Sequence, residues 1–205
     1  KRGFTVKENV YVYEFEGKTY INLTNRCNNN CSFCIRKNEV GIEGYNLWLE
    51  HDADAQDVIS QLKEKNKLGK DVVFCGYGEP TMNLDALIKV AAFVKENGGK
   101  TRLNTNGLAN AQYNRNIVPL LKDVIDVISI SLNDSSKEKY EAVCHSAFGL
   151  NAYSYMLDFA AECVKEKIDT VMTVVDVIPK EDIEKCRDIC EKIGARFRVR
   201  VYSDK

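Results

Sequence analysis

"VISISLN", residues 127–133, alternates apolar and polar side chains over a strand-length run. Successive side chains of a β-strand point to opposite faces. Ser129, Ser131 and Asn133 therefore share one face, and Ile128, Ile130 and Leu132 share the other. The fold turns on what the polar face meets. Strands of an open parallel sheet are covered by helices on both faces and read as nearly continuous apolar runs. A parallel strand with one polar face fits a barrel, its apolar side toward the helices and its polar side toward an interior cavity.

The chain around this strand alternates short β-rich runs with helical stretches. "VYVYEFEGKTYINLT" (10–24) predicts two strands around a Glu16-Gly17 turn. Further strands are expected at "DVVFC" (71–75), "KTRLN" (100–104), "DTVMTVVDV" (169–177) and "RFRVRV" (196–201). Helices are expected near 54–67, 83–97, 110–121, 136–143, 151–166 and 181–193. Counted from "KTYINLT", six strands each adjoin a helical stretch, which predicts a parallel sheet with crossover helices. A closed eight-fold barrel takes about 250 residues, more than the 205 present. The expected architecture is a partial (β/α)6 TIM-like barrel of parallel strands with an N-terminal β-hairpin, in one domain spanning 1–205.

Other strands alternate in the same way. Arg102, Asn104 and Asn106 interleave with Leu103 and Thr105, and Asn22 and Thr24 with Ile21 and Leu23. Arg196, Arg198 and Arg200 interleave with Phe197, Val199 and Val201, which fits a cavity wall or the solvated face of an edge strand. Polar residues crowd the C-terminal strand ends, where α/β sheets and barrels place their sites. Cys27 follows the first parallel strand, Gly76-Tyr77-Gly78-Glu79-Pro80 the second and Asn104-Thr105-Asn106-Gly107 the third. Asn133 ends the fourth, Asp176 lies near the end of the fifth, and Arg198 and Arg200 lie in the sixth.

"NLTNRCNNNCSFC" (22–34) places Cys27, Cys31 and Cys34 in a C-x3-C-x2-C pattern. Thiolates in one short loop suit an iron–sulfur cluster, which normally takes four. Three leave one coordination position open, as a metal centre that performs chemistry requires. Zinc is the rival, but His51 and His145 are the only histidines and complete no zinc pattern. Eight cysteines in a chain with 44% hydrophobic and 29% charged residues read as reduced thiols in a cytoplasmic setting. The net charge of −1 gives no global case for nucleic acid or an anionic membrane. No apolar run approaches the roughly 20 residues of a membrane span, and the basic, polar start is unlike a signal peptide.

The cysteine pattern, with Phe33 before the last cysteine, resembles the signature of radical S-adenosylmethionine (SAM) enzymes. The resemblance covers essentially the whole chain. "CGYGEP" stands where that superfamily carries a glycine-glycine-glutamate segment, with Tyr77 interrupting the pair. "INLTNRC", "FCGYGEPT", "RLNTNG", "SISLN", "VVDVIP" and "RVRVY" together resemble the subgroup named for its association with TatD-type nucleases.

The resemblance implies a [4Fe–4S] cluster on Cys27, Cys31 and Cys34, with SAM as the remaining ligand. It implies reductive cleavage of SAM to a 5′-deoxyadenosyl radical that abstracts hydrogen from a substrate. That substrate is a small molecule or a peptide or protein, and flavodoxin or ferredoxin is the expected electron donor. Phe33 is placed near the adenine, and Gly76, Tyr77, Gly78 and Glu79 at the methionine end. Asn104, Asn106, Ser131, Asn133 and Asp176 supply short polar groups, and Arg198 a partner for the SAM carboxylate or an acidic substrate. Two other readings remain: a glycyl-radical activase acting on a partner protein, and a non-enzymatic iron–sulfur or zinc module.

Several residues keep a plain structural reading. Cys163, Cys186 and Cys190 fall on core-facing helix stripes, and Cys75 is expected on the helix side of its strand. Cys144, in a loop-prone stretch, is either structural or catalytic. "GYGEP" is also read as a simple strand-to-helix turn. The loop 36–53, with Arg36 and Trp48, is either a substrate-binding lid or packing for the barrel mouth through Leu47 and Leu49.

Overall fold

Glu16 and Gly17 both take positive φ, 47° and 72°, the geometry of a two-residue hairpin turn whose twist matches its strands. That turn joins β1 (Val12–Phe15) to β2 (Lys18–Ile21) in antiparallel register. The computed structural model describes residues 9–37 and 42–201. Beyond the hairpin the sheet adds β3 (Val72–Phe74), β4 (Thr101–Thr105), β5 (Val127–Ser131), β6 (Asp169–Val175) and β7 (Arg196–Arg200). Neighbours follow chain order from β1 to β7, and every pair after the first is parallel. The sheet is not closed. It is the expected partial (β/α)6 TIM-like barrel with its hairpin extension.

Crossover helices cover one face: α1 (Ala55–Glu64), α2 (Leu84–Glu96), α5 (Lys137–Cys144), α6 (Asn151–Lys165) and α7 (Lys180–Ile193). The helix expected over 110–121 divides into α3 (Ala109–Gln112) and α4 (Val118–Leu121). Asn114 at φ 48° breaks the run, and Pro119 starts the second piece, where its missing N–H costs nothing.

The alternation in β5 resolves as expected. Ile128, Ile130 and Leu132 are all 0% exposed and join Met156, Phe159 and Met172 in the main core. Register defines the opposite face: Asn104 pairs Ser129, Ser129 pairs Val171, Ser131 pairs Thr173, and Thr173 pairs Arg198. Cys75 departs from the expectation. It follows Phe74, whose side chain is in the helix-side core, so Cys75 turns toward the lumen beside Asn104. The buried cysteines Cys163, Cys186 and Cys190 do pack in the core.

A second, smaller cluster lies against the hairpin. Tyr13, Leu47 and Tyr77 form its buried centre, with Phe15, Tyr20, Ile42 and Tyr45 packed around them. Tyr13 stacks on Tyr20 at 5.3 Å, and Trp48 meets Tyr77 edge-on at 5.2 Å. The described part of the loop 36–53 therefore closes over the inner side of the hairpin, with Leu47 and Leu49 buried. Residues 38–41 of that loop lie outside the described residues.

Candidate active site

The loop carrying Cys27, Cys31 and Cys34 leaves β2 and is held by the far end of α5. Asn30 N–H donates to Cys144 O at 2.9 Å, Ser32 N–H to Val143 O at 2.9 Å, and Ala147 N–H to Asn28 O at 2.8 Å. Within the loop, Cys34 N–H donates to Cys31 O at 3.2 Å. Arg36 bends back, its Nη2 donating to Asn29 O at 3.2 Å, so it serves this loop rather than projecting toward a substrate.

Two donors face Cys27 Sγ. Asn29 N–H lies 3.4 Å away and Asn106 Nδ2 3.9 Å away. Asn106 also donates to Asn28 Oδ1 at 2.5 Å, joining the end of β4 to the cysteine loop. Burial pushes the Cys27 thiol up to about 12, with the Glu79 carboxylate adding to the shift. A bound cation reverses that balance, because metal coordination requires and stabilises the thiolate. Among the described residues, no three His, Cys, Asp or Glu side chains converge as they would on one metal ion. The donor set is three thiolates on one loop with amide donors around them, which fits an iron–sulfur cluster and not a closed tetrahedral zinc site.

Cys144 is the last residue of α5, not part of a loop, and is fully buried. Its thiol lies close to that of Cys31, accepts from Asn133 Nδ2 at 3.1 Å and lies against the Tyr140 hydroxyl. The contact with Cys31 comes first among the causes that lower the Cys144 pKa, and the same contact raises that of Cys31. Asn29 Nδ2 donates to Tyr140 Oη at 3.2 Å. The side-chain oxygens of Asn29 and Asn133 are buried without a donor among the described residues, so polar capacity remains beside the cysteines.

The Gly76–Pro80 segment is placed by packing. A Cβ on Gly76 would stand 2.1 Å from Asn22 Oδ1, and one on Gly78 would stand 2.2 Å from Thr24 O and 2.6 Å from Arg26 O. These glycines let the strand end approach the chain leading into Cys27; they are not primarily clearance for a ligand. Tyr77 is buried in the aromatic cluster. Glu79 is extended, with φ −84° and ψ 115°, as the following proline favours. Its carboxylate is enclosed. It accepts from Thr81 Oγ1 and Thr105 Oγ1 at 2.7 Å each, from Asn106 N–H at 2.8 Å and from Thr81 N–H at 3.2 Å. Burial still outweighs these donors and raises its pKa. The carbonyls of Gly76, Tyr77 and Gly78 accept no protein hydrogen bond among the described residues.

The other expected residues lie along the lumen and its rim. Phe33 is exposed between two cysteines, and Ser131 is half-buried on the lumen face. Asn104 accepts from Arg102 Nε at 3.0 Å, deeper in the lumen than Asn106. Asp176 is exposed past the end of β6, its N–H bonded to Arg200 O at 3.0 Å. Arg198 is exposed and lies within electrostatic reach of Arg102 and Tyr20. The cysteine loop and Asn106 come together; Asp176 and Arg198 belong to the β7 side. Sequence reasoning missed Asn28, Asn29 and Tyr140, and only the run of asparagines between the first two cysteines hinted at the first two.

The model of the Radical SAM superfamily matches residues 21–193. The chain belongs to the radical SAM superfamily. That family implies a [4Fe–4S] cluster and SAM. An uncharacterized protein of Methanocaldococcus jannaschii is 32% identical over 122 residues, covering 59% of this chain and 36% of that protein. The dual-specificity RNA methyltransferase RlmN of Buchnera aphidicola is 26% identical, covering 70% and 39%. A probable GTP 3′,8-cyclase of Thermococcus kodakarensis is 24% identical, covering 87% and 54%. The chain thus spans about half or less of these curated relatives. Among solved structures, anSMEcpe with bound AdoMet superposes with a TM-score of 0.68 at 17% identity, covering 90% of this chain and 50% of that one. Streptococcus suis SuiB bound to precursor peptide SuiA gives a TM-score of 0.67 at 21% identity, covering 90% and 39%. These likenesses show the fold. No helix among the described residues is long and apolar enough to cross a membrane.

Proposed function

We propose that this radical SAM enzyme holds its cluster on Cys27, Cys31 and Cys34 and performs hydrogen abstraction on a substrate lodged in the open lumen. A cluster held by these three cysteines would supply one electron to the SAM sulfonium, whose cleavage would release methionine and the 5′-deoxyadenosyl radical. The observation carrying the reading is the approach of Asn106 to Cys27 Sγ and Asn28, which brings the end of β4 to the cysteine loop.

The chain's own residues divide the remaining work. The unpaired carbonyls of Gly76, Tyr77 and Gly78 are acceptors for the SAM ammonium. Phe33 offers an exposed ring for the adenine. Asn106, Ser131 and the free oxygen of Asn133 supply polar groups for the ribose. The aromatic cluster around Tyr77 and Trp48 shuts the hairpin side against water. A small redox protein, flavodoxin or ferredoxin, is the electron donor in this reading. The subgroup reading, with its TatD-type nuclease association, rests on the segments from "INLTNRC" to "RVRVY".

The test is anaerobic reconstitution with iron and sulfide, then reduction with dithionite in the presence of SAM. Formation of 5′-deoxyadenosine supports the reading. A reconstituted protein that binds SAM and never cleaves it would overturn the proposal.

A further inference from the structure

The lumen wall opposite the hairpin carries several arginines, of which Arg196 alone forms a salt bridge among the described residues, with Asp169, which also lies within electrostatic reach of Arg102. Arg196, Arg198 and Arg200 share one face of β7, and register carries that face across Thr173 and Val171 to Ser129 and Asn104. Arg102 stands on the same face of β4. Arg196 has its partner: Nε and Nη2 bind the two oxygens of Asp169 at 2.8 and 2.7 Å. Arg102, Arg198 and Arg200 form no salt bridge among the described residues. Arg102 spends only its Nε, on Asn104 Oδ1 at 3.0 Å.

These three groups are close enough to disturb one another. Burial lowers the pKa of Arg102, and Arg198 lowers it further; Arg200 is lowered by burial and again by Arg198. Tyr20, which pairs Val73 beside Arg102, lies within reach of both Arg102 and Arg198. Arg102 is half-buried and Arg198 and Arg200 are exposed on the edge strand, so like charges gather along the open side of the lumen, where an anion among them relieves their repulsion. Guanidinium forks match phosphate oxygens two at a time.

We propose that Arg102, Arg198 and Arg200, with the Tyr20 hydroxyl, form the anchor for a phosphate-bearing small-molecule substrate inside the lumen. The three formal positive charges exceed what one carboxylate neutralises and match a phosphate ester or diphosphate. Asn106, two residues along the same strand face from Asn104, marks the cluster end. At about 3.3 Å per strand residue, an anion held by Arg102 leaves roughly 13 Å of lumen for the rest of the substrate. The inference rests on the radical SAM reading only in naming the occupant a substrate. Arg198 then serves the substrate and not the SAM carboxylate.

The test is calorimetric titration of the reconstituted, SAM-loaded protein with inorganic pyrophosphate, and separately with citrate. Pyrophosphate is expected to bind at least about tenfold tighter than citrate and to weaken as salt is raised. Arg102→Ala and Arg198→Ala should each weaken pyrophosphate about tenfold or more, with unchanged melting temperature and iron content. Arg102→Lys should retain part of the affinity. Arg187→Ala, on the outer face against Phe197, should change nothing. Equal binding of citrate and pyrophosphate, no binding of either, or equal loss in Arg187→Ala would overturn the anchor. Protein that cleaves SAM but ignores pyrophosphate refutes the anchor alone. Protein that binds pyrophosphate through these arginines but never cleaves SAM keeps the anchor and refutes the proposed reaction.

Discussion

Asn133 donates its side-chain amide to Cys144 Sγ at 3.1 Å, tying the end of β5 to the last turn of α5 and, through Cys144, to Cys31. Asn133 sits at φ 62°, a left-handed conformation that asparagine tolerates better than most residues. Asn133→Ala therefore loses a buried hydrogen bond and gains backbone strain, at a cost of about 1–3 kcal/mol. Asn133→Gly should recover the strain part. Leu132→Ala, emptying a fully buried core position, should cost more, about 2–5 kcal/mol. Urea denaturation of the three variants checks the order, and a Leu132→Ala milder than Asn133→Ala would contradict the assigned faces of β5.

Three thiolates leave no redundancy. Cys27→Ala, Cys31→Ala and Cys34→Ala should each fail to retain iron after anaerobic reconstitution, whereas Cys163→Ala, Cys186→Ala and Cys190→Ala should load normally. Iron analysis on gel-filtered protein decides it. A wild-type iron load in Cys31→Ala would sink the ligand assignment.

Gly78 faces backbone, so Gly78→Val should act on the protein before any ligand is added. The new side chain collides with Thr24 O and Arg26 O, and strain of this kind costs about 1–3 kcal/mol. Lower stability and a reduced iron load are expected together, because residues 24–26 lead directly into Cys27. Full iron loading with wild-type stability, accompanied only by weak SAM binding, would restore a ligand-clearing role to this glycine.

Asp182 gives a pH prediction. Its buried carboxylate accepts from Ser135 Oγ at 2.6 Å and pairs with Lys139 and Lys185. These contacts, Lys139 first, hold its pKa at about 2 against an ordinary 3.8. The unfolded chain binds the proton more readily, so this contribution is complete above the unfolded pKa and disappears as pH falls toward about 2. Asp182→Asn should flatten the acid limb of the stability profile between roughly pH 2 and 4, leaving other titrations in place. Urea midpoints measured across that range supply the check, and an unchanged acid slope counts against the ion-paired carboxylate.

The architecture was legible because it rests on local patterns. Alternation in "VISISLN" assigned both faces of β5, and Glu16-Gly17 announced the hairpin. The cysteine spacing pointed to one loop, and the structure ties that loop to α5 and to the end of β4. What escaped depends on contacts between distant segments. Gly76 and Gly78 read as part of a segment at the methionine end of SAM, yet their nearest neighbours are Asn22, Thr24 and Arg26 on the chain that follows β2. Cys75 looked like a helix-side residue because its strand is apolar, but its register puts it beside Asn104. Cys144 looked loop-borne because the expected helix stopped at 143; the helix in fact runs one residue further, and His145, at φ 45°, is the left-handed cap that ends α5 after that cysteine.

The strictly sequential strand order bears on how the chain assembles during synthesis. Each strand docks beside the one made just before it, so most of the sheet grows by short-range additions as the chain emerges. The cysteine loop is the exception. It is translated early, but its supports at Val143, Cys144 and Ala147 come late, and Asn29 meets Tyr140 across 111 residues of chain. Until α5 emerges, the three thiols sit on an unsupported loop, exposed to oxidation and stray metals. Under the proposed function, a cluster delivered after that point would meet a loop already held in place, which ties maturation to the fourth βα unit and not to the first.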